Sequence, residues 1–372
     1  MIPFIDMTAI RNAAGAALTA RLDAVLASGN FILGPEVAEL EQRLAEFSGA
    51  AAAVGVASGT DALKIALMAN EIGPHDAVFI PAFTFAATAE AVVSTGATPM
   101  FIDVALPHMT MDPVHLREKI ATVRREGVLR AAAVITVDLF GLPARYEEIA
   151  TLAAEEDILL IADGAQSFGG QIGTSRVGTL APITAISFYP TKPLGCFGDG
   201  GAILTTDSGM AAKFRELRHH GFDAARENIV QPGMNSRLDT IQAAILLARF
   251  DLFVDELARR DTIAGWYGEF LDGAVEVPDI PTGRKSAWAV YTVRSAHRDA
   301  LRTRLSASGI GTAIYYATPV CDFEAYRRFR RDDDELPRSR QLCAEVLSLP
   351  MHPYLDRSTV EQVCSEVRQA LR

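Results

Sequence analysis

Three short segments of the chain carry residue types that could do chemistry together, and each follows an apolar run. The first, Ser58-Gly59-Thr60-Asp61, opens a predicted helix, so its free backbone N–H groups and the positive end of the helix dipole would face an anion such as a phosphate. Serine and threonine are also ordinary N-cap residues before an apolar helix. For this segment alone, a phosphate site and a simple helix cap are both open interpretations.

The second segment begins at Asp163, directly after the apolar run from Ile158 to Ala162. A carboxylate in that position is partly desolvated and needs a cationic or hydrogen-bonding partner. A protonated heterocycle would meet this need. A metal ion would also meet it, but no His or Cys lies nearby in the sequence to complete a coordination set, so we predict no metal site. The alternative is that Asp163 only caps the next helix.

The third segment runs from Ser187 to Lys192, and glycines between Gly195 and Gly201 crowd behind it. Only five of the 35 basic residues are lysines, so a lysine on a glycine-bounded turn is an unusual placement for solubility alone. Glycines there allow a positive φ and a close approach of the backbone to a ligand. A lysine beside apolar groups loses its proton more easily and can attack a carbonyl to form a Schiff base.

The three segments complement one another chemically. They supply a phosphate cradle, a carboxylate for a ring nitrogen and an amine for an aldehyde, which is the set that pyridoxal 5′-phosphate requires. In this hypothesis, Asp163 keeps the pyridine nitrogen protonated and thereby makes the ring an electron sink. Lys192 is the amine.

The elements that must position these residues follow a repeating pattern. From about residue 50 to 205, short Val- and Ile-rich runs alternate with helical patterns, which predicts a mainly parallel sheet in an α/β/α arrangement. We expect residues 1–257 to form N-terminal helices and this large α/β domain, with a long helix from Ser236 to Leu257. Residues 258–372 predict a smaller α+β domain, which includes a short strand at Thr312 to Tyr316. The acidic run from Asp332 to Glu335 predicts a solvated loop.

Composition excludes several classes of protein. The 46 acidic and 35 basic residues give a net charge of −11, which argues against nucleic-acid binding. The N-terminus has no signal-like pattern and no long apolar stretch occurs, so we expect a soluble cytoplasmic protein with no membrane association. The four cysteines include no close-spaced pair and are expected to be reduced thiols.

Motifs over nearly the whole chain resemble one known family, the sugar-nucleotide aminotransferases of the DegT/DnrJ/StrS group. That group has the aspartate-aminotransferase-like fold, which is fold type I of the pyridoxal phosphate-dependent transferases. The motifs that carry the resemblance are Phe31 to Glu36, Ser58 to Leu63, Ala82 to Phe85, Asp163 to Gln166, Ser187 to Lys192 and Asn235 to Asp239.

The resemblance implies a role for each matching residue. Lys192 would form the Schiff base and move the proton, and Asp163 would pair with the ring nitrogen. The cofactor would otherwise be bound by Gln166 at the ring hydroxyl, by Phe85 stacked on the ring, and by Gly59, Thr60 and Ser187 at the phosphate. In the family, residues at the positions of Asn235 and Arg237 come from a neighbouring subunit, so Asn235 would bind the cofactor of the other subunit. This implies a homodimer with shared active sites. Arg237 and Tyr316 are the candidate substrate-binding residues.

Within the family, the chain most resembles the enzyme that aminates UDP-2-acetamido-2-deoxy-3-oxo-D-glucuronate for surface polysaccharide biosynthesis. Glutamate would be the donor and 2-oxoglutarate its product, with pyridoxamine 5′-phosphate as the other cofactor form. Amination at C3 or C4 of a dTDP-, UDP- or GDP-linked keto-deoxysugar is the alternative. A related sugar dehydratase carries His in place of the lysine, so Lys192 argues against it. A non-catalytic regulator that binds pyridoxal phosphate is the alternative from another class.

Three positions depart from the family pattern or stay ambiguous. Ala162 stands where the family often has Glu, and we expect that position to lie outside direct contact with the cofactor. The loop from Gln171 to Gly178 lacks the Gly-Lys pair often found there. His219 and His220 resemble a family His-Gly, but cations near a helix C-terminus explain them equally well.

Overall fold

The computed structural model describes residues 1–371 and is built around a seven-stranded sheet with helices on both faces. The helices are α1 (Met7–Ser28), α2 (Pro35–Ser48), α3 (Gly59–Ala69), α4 (Ala86–Ser94), α5 (Pro113–Glu126), α6 (Tyr146–Glu155), α7 (Ser208–Leu217), α8 (Thr240–Leu271), α9 (Arg298–Ala307), α10 (Pro337–Glu345) and α11 (Arg357–Ala370). The strands are β1 (Ala52–Val56), β2 (Asp76–Pro81), β3 (Thr98–Ile102), β4 (Val104–Ala105), β5 (Thr110–Met111), β6 (Arg130–Val137), β7 (Leu159–Asp163), β8 (Gln171–Ile172), β9 (Ser175–Arg176), β10 (Ile183–Ser187), β11 (Gly201–Thr205), β12 (Arg284–Lys285), β13 (Tyr291–Arg294) and β14 (Val346–Leu349).

The central sheet has the strand order β1-β11-β10-β7-β6-β2-β3. Strand β11 runs antiparallel to both of its neighbours, and every other neighbouring pair is parallel. Helical crossovers must return the chain between parallel strands, which accounts for α3 to α6. The prediction of a mainly parallel α/β sheet is confirmed.

Alternate side chains of the strands build two separate cores. Val78 and Ile80 of β2 point into a cluster with α3, α4 and α7. Ala77 and Phe79 of the same strand point into a second cluster with α5 and α6. Because successive strand residues face opposite sides of a sheet, a strand buried on both faces is apolar at every position. The three-layer α/β/α arrangement follows from this.

Helix α8 is 32 residues long and joins the two parts of the chain. Its first half packs with α2 against the large sheet, and its last turns, from Ile263 to Leu271, pack in the core of the smaller part. The helix passes through residue 257 without a break. The domain division at residue 257 stays a prediction. The N-terminal segment also contacts the smaller part, since Ile2 pairs with Ile310.

The smaller part consists of the antiparallel pair β13 and β14 covered by α9 and α11. The predicted strand at Thr312 to Tyr316 is wrong: this stretch makes one isolated bridge, from Ala313 to Ser348, and otherwise turns toward the large domain. Its alternating β-branched and aromatic residues suit a strand, but β13 and β14 already pair with each other.

The acidic run at residues 332–335 is not simply a solvated loop. Asp334 is 1% exposed and lies 2.7 Å from Nζ of the buried Lys119 on α5. The charge pattern predicts solvation, but it contains no information about a cation 215 residues away. Within residues 1–371, the four cysteines are free thiols and no helix is long and apolar enough to span a bilayer.

Candidate active site

The predicted phosphate-binding residues meet at the edge of the sheet where the parallel strands end. In the strand register, Gly201 of β11 lies between Val56 of β1 and Ser187 of β10. The chain beyond Val56 turns into α3 at this point, so the start of α3 lies beside Ser187. A Cβ added at Gly201 would come within 2.4 Å of the Ser58 carbonyl carbon, so only glycine allows this approach.

The start of α3 combines a helix cap with free backbone donors. The Ser58 hydroxyl caps the helix by accepting a hydrogen bond from the Asp61 N–H at 3.1 Å. The N–H groups of Gly59 and Thr60 lie in the first turn, where a helix offers no acceptor. A Cβ on Gly59 would lie 2.9 Å from the Ser187 Cβ, so Ser187 packs directly against the start of the helix. The helix cap and backbone donors that suit an anion therefore occur in the same turn.

Asp163 ends β7 as a buried carboxylate, 7% exposed. Its Oδ2 accepts a hydrogen bond from the Thr88 hydroxyl at 2.8 Å, and its Oδ1 accepts one from the Ala165 N–H at 3.2 Å. Burial raises the pKa of Asp163, whereas these two donors and the charge of Lys192 lower it. A turn and not an α-helix follows Asp163, so the helix-cap alternative is wrong.

Lys192 lies on the loop between β10 and β11 and points into the same cavity as Asp163. Burial lowers the pKa of its ammonium group to about 8, and the charge of Asp163 opposes that shift. An amine with this pKa is partly neutral near neutral pH, which is the state that attacks a carbonyl. The loop is tightly folded: the Lys192 N–H bonds to the Tyr189 carbonyl at 2.9 Å and the Cys196 N–H bonds to the Phe188 carbonyl at 2.7 Å.

Eight of the predicted site residues line one cavity of about 400 Å³. They are Gly59, Thr60, Phe85, Asp163, Gln166, Ser187, Lys192 and Tyr316. The opposite wall consists of Ile5 from the N-terminal segment, Ala289 and Val290 from the smaller part, and Tyr315. Sequence reasoning did not identify Ile5, Ala289 or Val290, because apolar residues far apart in the chain carry no motif.

Gln166 and two aromatic rings shape the middle of the cavity. The Gln166 amide nitrogen donates to the Tyr316 hydroxyl at 3.3 Å, and its Oε1 accepts from the Phe140 N–H at 2.8 Å. The Phe85 ring is 58% exposed, and its centroid lies 6.0 Å from that of Tyr316. An aromatic face that stays open beside a cavity is available to stack on a planar ligand. Burial and nearby Asp163 raise the pKa of Tyr316, so its hydroxyl stays protonated.

Asn235 and Arg237 lie outside this cavity, in the segment between α7 and α8. Asn235 is exposed and pairs through its backbone with His219. Nη1 of Arg237 lies 3.1 Å from Nδ1 of His219, and its Nε is buried without a partner within residues 1–371. Burial and the charge of Arg237 lower the pKa of His219, so the neutral ring accepts a hydrogen bond from the guanidinium.

Two buried residues that support the site were missed by sequence reasoning. Thr88 donates to Asp163, and Asp138 at the end of β6 accepts from Ala144, Tyr146 and Ser167. Burial raises the pKa of Asp138 to about 7. Asp138 follows a strand just as Asp163 does, and that position was the available signal. Ala162 points away from the cavity into the core beneath the sheet.

These residues fit pyridoxal 5′-phosphate. The free N–H groups of Gly59 and Thr60 and the hydroxyl of Ser187 suit a phosphate, and the cavity holds one buried carboxylate for a ring nitrogen and one amine for an aldehyde. Within residues 1–371, no group of three or more His, Cys, Asp or Glu side chains is arranged to hold a metal ion.

Parallel strands that bring a lysine and a buried carboxylate to the N-terminus of one helix are the arrangement of fold type I pyridoxal phosphate enzymes, and this chain is of that class. Comparison with known sequences narrows the assignment. The chain belongs to the DegT/DnrJ/EryC1/StrS aminotransferase family, whose sequence profile matches residues 12–368. Enzymes of this family use pyridoxal phosphate to aminate nucleotide-linked sugars, which confirms the predicted enzyme class and cofactor.

Individual relatives match over nearly their full length. The UDP-2-acetamido-2-deoxy-3-oxo-D-glucuronate aminotransferase of Pseudomonas aeruginosa is 39% identical over 98% of this chain and 99% of that protein. The UDP-N-acetyl-3-dehydro-alpha-D-glucosamine 3-aminotransferase of Acidithiobacillus ferrooxidans is 38% identical over 100% of this chain and 98% of that protein. A crystal structure of a DegT/DnrJ/EryC1/StrS aminotransferase from Brucella abortus is 44% identical, covers 100% of both chains and superposes with a TM-score of 0.98.

Proposed function

We propose that Lys192 is the residue that binds the pyridoxal phosphate aldehyde covalently and moves the proton during amination. The observation that carries this proposal is the shared cavity of Lys192, Asp163 and the α3 N-terminus. When bound, the cofactor would supply an aldehyde that takes the amino group from a donor and passes it on to a ketone, and a ring that acts as an electron sink. Asp163 would hold the proton on the ring nitrogen, and Gly59, Thr60 and Ser187 would fix the phosphate.

Gln166 and Phe85 would orient the ring between these anchors. Gln166 is itself held at both ends of its amide, by the Phe140 N–H and the Tyr316 hydroxyl, so it is preorganised for the ring hydroxyl. Phe85 supports stacking because its exposed ring lies at the cavity. A fixed ring geometry is what an aminotransferase requires, since proton movement depends on the alignment of Lys192 with the ring.

Lysine labelling tests the assignment of Lys192. Borohydride reduction of the holoenzyme, followed by peptide mapping, should place the pyridoxyl group on Lys192 and on none of Lys64, Lys119, Lys213 or Lys285. Lys192→Ala should lose at least about 10³-fold in turnover, because it removes a covalent catalyst. The matched control is Lys213→Ala, which removes a surface lysine that pairs with Glu71. A label on any other lysine would overturn the assignment.

We further propose that the acceptor is UDP-2-acetamido-2-deoxy-3-oxo-D-glucuronate and that glutamate is the donor. Both are carboxylates, yet Lys192 is the one Lys or Arg among the described residues that line the cavity. A carboxylate receptor would therefore come from a second copy of the chain. Arg237 supports this role because no carboxylate pairs with it within residues 1–371 and a guanidinium binds a carboxylate through two parallel hydrogen bonds.

This proposal implies a homodimer in which Arg237 and the exposed Asn235 of one subunit complete the site of the other. Tyr316 would donate a hydrogen bond to the substrate from its own chain. The work of the enzyme would be the supply of an amino sugar nucleotide for surface polysaccharide, carried out in the cytoplasm. The sugars in the names of the two relatives above differ at carbon 6, which is a carboxylate in the glucuronate and a hydroxymethyl group in the glucosamine.

That difference defines the substrate test. The enzyme should be assayed with the 3-keto uronic acid nucleotide and with the matching 3-keto UDP-N-acetylglucosamine. The uronate should be preferred in wild type, and Arg237→Lys should weaken its use by about 1–3 kcal/mol through loss of the bidentate geometry, with the dimer intact. If the neutral sugar is aminated as well as or better than the acid, the uronate proposal is wrong and another keto sugar nucleotide is the acceptor.

A further inference from the structure

Helix α8 carries a stripe of polar side chains that lies outside the cavity. Gln242, Arg249, Glu256 and Arg260 are spaced by seven, seven and four residues, so they share one face of the helix. Arg249 and Arg260 are each 1% exposed and Glu256 is 2% exposed. Buried charges are costly unless their geometry is well satisfied, so the partners of this stripe show what it holds in place.

Arg249 contacts the loop that carries Lys192. Its Nη1 donates to the Gly195 carbonyl at 2.6 Å, and its Nη2 donates to the Pro193 carbonyl at 3.4 Å. Seven residues earlier in the stripe, about two turns of helix, Oε1 of Gln242 accepts from the Phe197 N–H at 3.0 Å. The backbone on the C-terminal side of Lys192 is therefore held at three points by side chains of α8.

Glu256 connects Arg249 to the smaller part of the molecule. Its Oε2 accepts from Nη2 of Arg249 at 3.0 Å, and its Oε1 accepts from the Tyr354 hydroxyl at 2.6 Å. Tyr354 follows β14, in the smaller part. Arg260 extends the connection, because its Nη1 donates to the Trp288 carbonyl at 2.9 Å, directly before Ala289 and Val290 of the cavity wall.

We propose that Arg249, held by Glu256 and Tyr354, is a positioning residue that sets the Lys192 loop relative to the opposite wall of the cavity. The proposal rests on the proposed role of Lys192. The two carbonyls and the carboxylate are contacted from two separate nitrogens, Nη1 and Nη2, of one planar guanidinium. A lysine ammonium offers its donors from a single nitrogen on a flexible chain, so it does not reproduce this fixed geometry. A displacement of a reacting group by about 1 Å can cost about 10²-fold in rate.

The experiment compares Arg249→Lys and Tyr354→Phe with a control, Arg294→Lys. Arg294 is also a buried arginine with glutamate partners, Glu345 at 2.8 Å and Glu276 at 2.7 Å, but it lies in the smaller part, away from the Lys192 loop. In the cofactor-free protein, hydrogen–deuterium exchange should become faster in residues 188–197 in Arg249→Lys and Tyr354→Phe. It should not change there in Arg294→Lys.

Kinetics then separate positioning from general stability. In Arg249→Lys, kcat should fall by at least about tenfold while KM for the keto sugar stays within about twofold. The substitution changes the alignment of Lys192 but leaves the groups that bind the substrate in place. Tyr354→Phe should shift kcat in the same direction by a smaller factor, and it retains its ring packing, so it tests the proposal even if Arg249→Lys does not fold.

The positioning role is overturned if folded Arg249→Lys has the hydrogen–deuterium exchange and the kcat of wild type. If Arg249→Lys does not fold, the same result in Tyr354→Phe overturns it. The same measurements on Lys192→Ala distinguish a failure of the proposed role of Arg249 from a failure of the proposed role of Lys192. If Lys192→Ala is inactive and unlabelled while the stripe variants behave as wild type, only the positioning inference fails. If Lys192→Ala still takes up a reducible label, the proposed function fails first.

Discussion

The hydroxyl of Thr88 donates a 2.8 Å hydrogen bond to Oδ2 of Asp163, although the two residues lie 75 positions apart in the chain. Thr88 is completely buried in the first turn of α4, and Asp163 ends β7. This bond is the largest of the influences that lower the pKa of Asp163, against the burial that raises it. Thr88 therefore favours the ionised state of Asp163, on which a protonated ring nitrogen would depend.

Thr88→Val should move the acidic limb of the pH–rate profile to higher pH. Valine keeps the shape but removes the donor, so the pKa of Asp163 rises further and the carboxylate ionises later as pH increases. A hydrogen bond to a charged group contributes about 1.5–3 kcal/mol, so kcat/KM on the acidic limb should fall about tenfold or more. The control is Thr136→Val, a buried threonine on β6 whose hydroxyl has no partner within residues 1–371. Equal profiles for the two variants would refute this role.

Asp163→Asn should slow turnover and also make Lys192 more acidic. The negative charge of Asp163 raises the pKa of Lys192, which burial lowers to about 8, so the pKa should fall below that value without the charge. Only the neutral amine reacts with an aldehyde, so uptake of pyridoxal phosphate by the cofactor-free variant, followed by visible absorbance, should reach half its maximal rate at lower pH than in wild type. Asp199→Asn removes another carboxylate at the cavity and should leave that midpoint in place. Near-wild-type turnover in Asp163→Asn would return the residue to a structural role.

Subunit mixing tests the shared active site. Lys192→Ala and Arg237→Ala proteins should each be impaired alone, but mixed dimers contain one site in which both residues are intact. Under statistical exchange, about half of the dimers are mixed, so activity should recover to about a quarter of wild type. Mixing Lys192→Ala with Asp163→Asn, two changes in the same half of the site, leaves one change in every site, so this mixture should restore no activity and is the matched control. A fully active monomer in solution would rule out sharing.

Asp334→Asn should destabilise the fold without touching the cavity. The buried Lys119 ammonium would keep only Asp333, at 3.1 Å and 56% exposed, as a charged partner. Breaking a buried pair costs about 3–5 kcal/mol, and we expect the lower end because Asp333 remains. Urea unfolding should show the loss, whereas Asp332→Asn, an exposed neighbour, should stay within about 0.5 kcal/mol of wild type. Equal stability of the two variants would show that the burial of Asp334 has no energetic weight.

Much of the site could be predicted because its chemistry is local in sequence. A helix start after a strand, a carboxylate after a strand and a lysine on a glycine-bounded loop each occupy a few consecutive residues. In a mainly parallel sheet the carboxyl ends of strands share one edge, so these residues had to meet once the alternation of strands and helices was recognised. Eight predicted residues do line one cavity, and three of them, Phe85, Gln166 and Tyr316, were predicted from the family resemblance alone.

Contacts between distant residues could not be predicted. The Thr88–Asp163 bond, the Lys119–Asp334 pair and the contacts of Arg249 with the Lys192 loop each join positions that share no periodicity. Both ends of the long helix were also misplaced, since the prediction was Ser236 to Leu257 and α8 is Thr240–Leu271. At Leu257 the apolar stripe changes the partners it packs against, but the helix continues. Which polar residues are buried depends on packing between elements, and hydropathy along the chain does not contain that information.

The amino-acid sequence by itself determined the class of chemistry, since the residue types that suit a phosphate, a ring nitrogen and an aldehyde are specified at single positions. Only the tertiary structure decided the protonation states and support of those residues. Desolvation and the directions of hydrogen bonds set the pKa of Lys192 and Asp163, and both arise from side chains that the fold brings together from far apart in the chain.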